Sequence, residues 1–224
     1  LMGSFLQRPR LLKLFFVSLL IIFLASCERT ANQYAFQQGS FEVKVVNQLF
    51  LDFQKLAKQL PIRIAYPNAE GTFPVIVFSH GSGSKGDMYK GFTDYWASHG
   101  YIVIQPTHMD SRSLGFEIKR DNLREMYTQM LYVTDTRRQD MSFIVDSLDL
   151  IQKMVPDLQG KMDTSNLVAA GHSMGAATAM LVSGMKLVNP MDGYEESSDE
   201  DRFKALLMIS DPGTMSLMPK DPWV

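Results

Sequence analysis

A chain of 224 residues can bury a substantial core, and its 46% hydrophobic and 21% charged residues suit a globular fold. A formal charge of -2, with no basic stripe and no zinc-finger or RNP-like spacing, excludes a broad electrostatic footprint for nucleic acid. The single cysteine, Cys27, excludes an intrachain disulfide and any paired-cysteine metal site.

The first elements in chain order are targeting elements. Arg8, Arg10 and Lys13 precede an apolar run at residues 14–25, the n-region and h-region of an export signal. At 12 residues that run is too short for a comfortable membrane span. It ends Leu24-Ala25-Ser26-Cys27, which resembles a bacterial lipobox. The expectation is a signal peptide at residues 1–26 and lipidation at Cys27. Acyl chains of the palmitate kind would then hold the domain to a membrane of the bacterial cell envelope by burying methylenes. Removing residues 1–26 takes away three cations and no acid, and leaves a charge of -5.

Residues 27–40 are polar and read as a tether, and residues 41–224 as one domain. Residues 41–66 mix strand-like segments with a short helix, and PIRIAY alternates as a strand. PNAEGT predicts a turn, and VIVF after it a strand buried on both faces, broken by HGSGS. Residues 87–100 space Tyr89, Phe92, Tyr95, Trp96 and His99 at helical steps, and YIVIQ is the next strand. Strand, helix and strand within about 35 residues are the rhythm of a βαβ unit.

Residues 111–139 read as a charged excursion with a helix over residues 121–133. A separate helical stripe follows at Phe143, Ile144, Leu148, Ile151 and Val155. NLVAAGHSMG predicts strand, sharp turn and helix. Residues 189–202 read as a loop, and FKALLMIS as a further buried strand.

The chemistry concentrates in Gly171-His172-Ser173-Met174-Gly175, the G-x-S-x-G nucleophile-elbow pattern. A serine at a tight strand-to-helix turn takes a strained backbone that lifts its hydroxyl into a cleft. Glycines two before and two after leave room where chains crowd, and Ala176, Ala177 and Ala179 let the helix sit close to a sheet. The helix N-terminus turns unsatisfied N–H groups toward developing negative charge. The loop at Ser79-His80-Gly81-Ser82-Gly83 can offer one more backbone N–H, with His80 structural rather than catalytic.

In this order, the FSHG loop, the ASHGY strand entry and the GHSMG elbow resemble the α/β-hydrolase superfamily. The resemblance is closest to the branch holding platelet-activating-factor acetylhydrolases, chlorophyllases, dienelactone-hydrolase-like proteins and bacterial polyester hydrolases. It covers residues 73–210. It implies an α/β fold, a mostly parallel sheet with helices on both faces. It also implies hydrolysis of a small-molecule or lipid-like carboxylic ester through an acyl-enzyme, without metal or organic cofactor. Ser173 would be the nucleophile, and the backbone N–H groups of Met174 and Ser82 the oxyanion hole.

One part of that pattern is missing. In this superfamily an acid and then a histidine follow the serine, yet the four histidines, His80, His99, His108 and His172, all precede it. His108, just past a strand end, is the least implausible substitute base, and Asp211, after ALLMIS, a candidate acid. The simplest expectation is a chain lacking its C-terminal portion, with the acid and the histidine in the part not seen. The competing expectation is a hydrolase-fold envelope lipoprotein, catalytically impaired, that acts in binding. Peptidase or acyltransferase chemistry on the same nucleophile also fits the motif.

Overall fold

The computed structural model describes residues 37–117, 122–188, 193 and 195–210. The chain divides after Gln38, and the fold below is that of the second part, residues 39–224. The signal peptide, Cys27, most of the tether and Asp211 lie outside the described residues.

Among the described residues a six-stranded sheet forms the centre, in the spatial order β1 (Val43–Phe53), β2 (Lys58–Pro67), β4 (Ile102–Pro106), β3 (Phe73–Ser79), β5 (Met162–His172) and β8 (Phe203–Ile209). Strand β1 pairs antiparallel with β2, and β2 antiparallel with β4. From there the ladder is parallel: β4 with β3, β3 with β5, and β5 with β8. The short helix expected within residues 41–66 is a single 3-10 turn at Gln54–Leu56, between β1 and β2.

Alternation along the central strands feeds two cores. Val75 and Val77 of β3, Ile102 and Ile104 of β4, and Leu167 and Ala169 of β5 point to one face. There they meet three helices: α2 (Leu123–Asp146), α3 (Leu148–Met154) and α4 (Met174–Val182). Ile76, Phe78, Val103 and Ala170 point to the other face, under Trp96 of α1 (Lys90–Ser98). A strand covered on both sides has no polar face to show, which is why VIVF and YIVI read as continuous apolar runs.

Three readings are corrected. The helix placed at residues 121–133 runs on to Asp146 as one 24-residue helix, α2, which takes in Phe143 and Ile144 of the stripe, while Leu148 and Ile151 belong to α3 and Val155 caps it. Asn122 starts it, its side chain accepting the N–H of Glu125 at 2.7 Å. Helix α2 looks broken in the sequence because its middle buries Arg137 and Asp140, charged residues on a face where periodicity looks for apolar ones. The loop placed at residues 189–202 contains a strand, because β6 (Ser183–Val188) and β7 (Glu195–Asp199) form an antiparallel pair. Strand β8 is half-exposed rather than buried, with Leu207 and Met208 open to solvent at the edge of the sheet that the described residues form.

Candidate active site

The C-terminal ends of the parallel strands carry the candidate residues, the usual place for ligands in open α/β sheets. Strand β5 ends at His172 and α4 begins at Met174, so Ser173 alone makes the turn. Its backbone sits at φ 53, ψ -120, a conformation a non-glycine residue adopts only when its surroundings hold it there. Two features hold it. The Ser173 N–H donates to the Ile209 carbonyl at 3.0 Å, and its own carbonyl accepts the Ala176 N–H at 2.8 Å.

The flanking glycines are required by contact. A Cβ on Gly171 would stand 2.1 Å from the Gly175 carbonyl oxygen, and one on Gly175 would stand 2.0 Å from the Ser79 carbonyl oxygen. The second contact also seats the N-terminus of α4 on the end of β3, beside the loop that follows it. Met174, first residue of α4, has no intrahelical acceptor for its N–H. Nor does the Ser82 N–H have an acceptor among the described residues. Ser173 itself is half-buried and so open to the surface.

Beneath the 80–83 loop lies a buried polar network. Arg137 of α2, fully buried, donates from Nη1 to the His80 carbonyl at 2.6 Å and from Nη2 to the Gly81 carbonyl at 3.4 Å. Its Nε and Nη2 also grip both carboxylate oxygens of Asp110 at 2.8 Å, a bidentate pair. Asp110 in turn accepts the Gly83 N–H at 3.3 Å. Burial pushes Asp110 up, but the hydrogen bonds and charge of Arg137 outweigh it and hold the carboxyl below its usual range. His80 accepts the His108 N–H on Nε2 at 3.0 Å, and its Nδ1–H donates to the Gly81 carbonyl at 2.7 Å. Burial, with the nearby His108 and Arg137, lowers His80 to about 3, so it stays neutral.

His108 completes a second chain. The Ser79 hydroxyl donates to His108 Nε2 at 2.9 Å, and His108 Nδ1–H donates to Asp140 at 2.9 Å. Asp140 also pairs with Lys58 at 2.6 Å. Burial drives His108 well below its ordinary value, helped by Arg137. Burial also pushes Asp140 up to about 6 against the pull of Lys58. Ser79, His108 and Asp140 thus have the connectivity of a serine–histidine–aspartate triad, yet all three are wholly buried. No substrate reaches them, and their part is structural.

His108, considered as a substitute base, has both ring nitrogens engaged in that buried chain and is not turned to Ser173. His80 is likewise engaged, and His99, at the end of α1, bonds the Tyr95 carbonyl. His172 faces the Tyr89 hydroxyl at 2.8 Å. All four lie in described residues, and none is hydrogen-bonded to the Ser173 hydroxyl. The hydrogen-bonded parts played by Ser79, Tyr89, Arg137 and Asp140 do not show in the sequence. The only available sign was Arg137 and Asp140 three apart on the stripe that continues to Ile144.

A cavity of about 380 Å³ adjoins the loop, lined among the described residues by Ser82, Gly83, Asp110, Arg112, Phe116 and their neighbours. Its size is that of a small-molecule pocket. A second depression, about 400 Å³ against Arg202, contains none of the motif residues.

The mostly parallel sheet covered on both faces, with a strained serine at the turn from β5 into α4, defines an α/β-hydrolase fold. Within that class the chain belongs to the chlorophyllase family, whose family model, described as Chlorophyllase, matches residues 31–192. Chlorophyllase-1 of Arabidopsis thaliana is 23% identical over 159 residues, which are 71% of this chain and 48% of that protein. Chlorophyllase type 0 of Chenopodium album is 24% identical over 159 residues, 66% of this chain and 39% of that protein. Chlorophyllase-1 of Citrus sinensis is 32% identical over a shorter stretch of 77 residues. The chain therefore spans about half the length, or less, of the curated relatives it matches.

Proposed function

We propose that the protein is a serine hydrolase of carboxylic esters, with Ser173 as nucleophile. The observation that carries this reading is the backbone of Ser173, held at positive φ between two glycines that admit no Cβ. Membership of the chlorophyllase family supports the ester class. The relatives' name points to chlorophyll as the substrate of those proteins; for this chain the proposal is the coarser class.

In the proposed reaction the Ser173 hydroxyl adds to the ester carbonyl carbon, giving up its proton to a base. The carbonyl oxygen becomes an oxyanion held by the N–H groups of Met174 and Ser82. Collapse breaks the carbon–oxygen bond to the alcohol, which leaves with the proton and leaves an acyl group on Ser173. Water then adds to the acyl carbon and releases the acid and free serine. The cavity beside Ser82 has room for one arm of the ester. The base and its acid partner we assign to polypeptide outside the described residues, where Asp211 also lies.

The test uses the full native chain with a fluorophosphonate probe and nitrophenyl esters. Labelling and hydrolysis that both vanish in Ser173→Ala support the proposal. A native protein inert to both favours the second reading, a binding scaffold, for which the lack of any histidine on the Ser173 hydroxyl speaks. The n-region, h-region and Cys27 support attachment to the cell envelope by a lipid. Release of a Cys27→Ala protein from the membrane fraction is the expected result.

A further inference from the structure

The proposed reaction needs two N–H donors on different segments to converge on one oxygen. Ser82 sits on the loop after β3, and Met174 on the elbow after β5. The β3–β5 ladder runs only as far as the pair Ser79–Gly171, and beyond it Gly175 packs against the Ser79 and His80 carbonyls without a ladder hydrogen bond to fix the position of Ser82. Arg137 holds the loop from below, but it comes from α2 and fixes the loop to that helix rather than to the elbow.

Tyr89 bridges the gap. Its hydroxyl oxygen accepts the Gly81 N–H at 3.1 Å, and it meets His172 Nδ1 at 2.8 Å. Gly81 immediately precedes Ser82, and His172 immediately precedes Ser173. Among the described residues this is the one side-chain hydrogen-bonded path from loop to elbow.

The bridge is itself firmly mounted. Tyr89 closes a 3-10 turn, Gly86–Tyr89, that is pinned to β4 and its extension. The Gly86 N–H donates to Thr107 at 3.1 Å, and the Gly86 carbonyl accepts from the Gln105 amide at 2.6 Å. A Cβ on Gly86 would stand 2.7 Å from the Gln105 carbonyl oxygen, so the turn lies flush on the strand. The Tyr89 ring is wedged between Phe78 and His172, with ring centres at 5.0 and 5.4 Å.

We propose that the Tyr89 hydroxyl is a positioning group that sets the spacing between the Ser82 and Met174 N–H donors by tying Gly81 to His172. This inference rests on the ester-hydrolase reading above, and it adds a residue that never touches substrate. Because the oxyanion exists fully only in the tetrahedral transition state, a slack tie lowers kcat and leaves KM nearly alone.

The test is Tyr89→Phe in the full native protein, which keeps the ring and removes only the oxygen. Kinetics are measured on a nitrophenyl ester and on its thiono counterpart, whose larger, softer sulfur fits an oxyanion hole poorly. Amide hydrogen exchange of the peptide spanning residues 80–84 is followed beside them. Removing an oxyanion donor outright costs about 10²–10³ in kcat, so a displaced one is expected to cost about tenfold. KM should stay within about twofold, the oxo-over-thiono rate ratio should fall, and exchange at residues 81–83 should quicken. His172→Leu cuts the same tie from the elbow side and should give the same changes, which covers a Tyr89→Phe protein that fails to fold. Slower turnover with an unchanged ratio and unchanged exchange overturns the proposal, since the loop and its donor would then stand where they did. A native protein with no Ser173-dependent hydrolysis removes the ester reading instead. The exchange arm then decides alone: quickened exchange retains the tie, and unchanged exchange rejects it.

Discussion

Two serines stand at the ends of neighbouring strands, and they could hardly be treated more differently. Ser79 closes β3 opposite Gly171, two residues before Ser173. Ser79 has histidine and aspartate in line behind it and is sealed from solvent. Ser173 has no histidine on its hydroxyl but holds a strained backbone, a helix N-terminus and access to the surface. The contrast teaches that hydrogen-bond connectivity alone does not define a nucleophile. In the proposed function, backbone placement and access are what favour Ser173, and the buried triad serves as a girder under the loop.

The contrast can be broken most sharply by exchanging activity between the serines. Ser173→Ala is expected to lower ester hydrolysis by about 10³-fold or more with little change in melting temperature. If Ser79→Ala abolishes turnover in a folded protein while Ser173→Ala does not, the assignment is reversed.

Gly175→Ala should come next. Its Cβ would stand 2.0 Å from backbone that cannot retreat, so loss of soluble folded protein is expected on expression. Arg137→Met then removes one half of a buried ion pair and strands Asp110. Chemical denaturation should register about 3–5 kcal/mol of lost stability.

The girder also carries a pH signature. His80 and His108 are held neutral in the fold but charge near 6.5 once unfolded, so their stabilisation is complete above that pH. It is lost as pH falls through their lowered folded values, about 3 for His80. Asp140 works in the opposite sense: raised to about 6, it favours the fold at low pH and loses that contribution as pH rises through about 6. Around pH 5 the unfolded chain therefore binds about one proton more than the fold. These three groups together should cost ~1.4 kcal/mol per unit of acidification, measured by denaturation at several pH values. His108→Gln should flatten that slope, and an unchanged slope would mean that His108 is not buried neutral. The smallest effect is expected for Ser79→Ala, about 1–2 kcal/mol by denaturation, from stranding His108 and Arg137.

The same contrast marks what was legible in the sequence. The elbow could be read because its signature lies within five residues, even though the Gly175 contact is with Ser79 of β3 and the Ser173 N–H is held by Ile209 of β8. The central strands could be read because full burial strips them of polar residues. The girder could not. Ser79, His108 and Asp140 are spread over 61 positions and meet only when β3, β4 and α2 pack together. Arg137 and Asp140 also disguised α2, because buried charges paired with Asp110 and Lys58 of other segments look like a solvated face in a one-dimensional pattern. The pairing of β6 with β7 was missed for a simpler reason: Glu195–Asp199 carries no apolar residue at all.

The contacts of Gly171 and Gly175 bear on how such a motif can change over generations. Each glycine is stopped by a main-chain oxygen, one of which belongs to the other glycine. Every amino acid that a single base change can put in place of glycine carries a Cβ. The elbow therefore has no neighbouring sequence through which to drift. A lineage that gave up the proposed catalysis would be free to lose Ser173 first, and the two glycines should outlast it as a record of the turn.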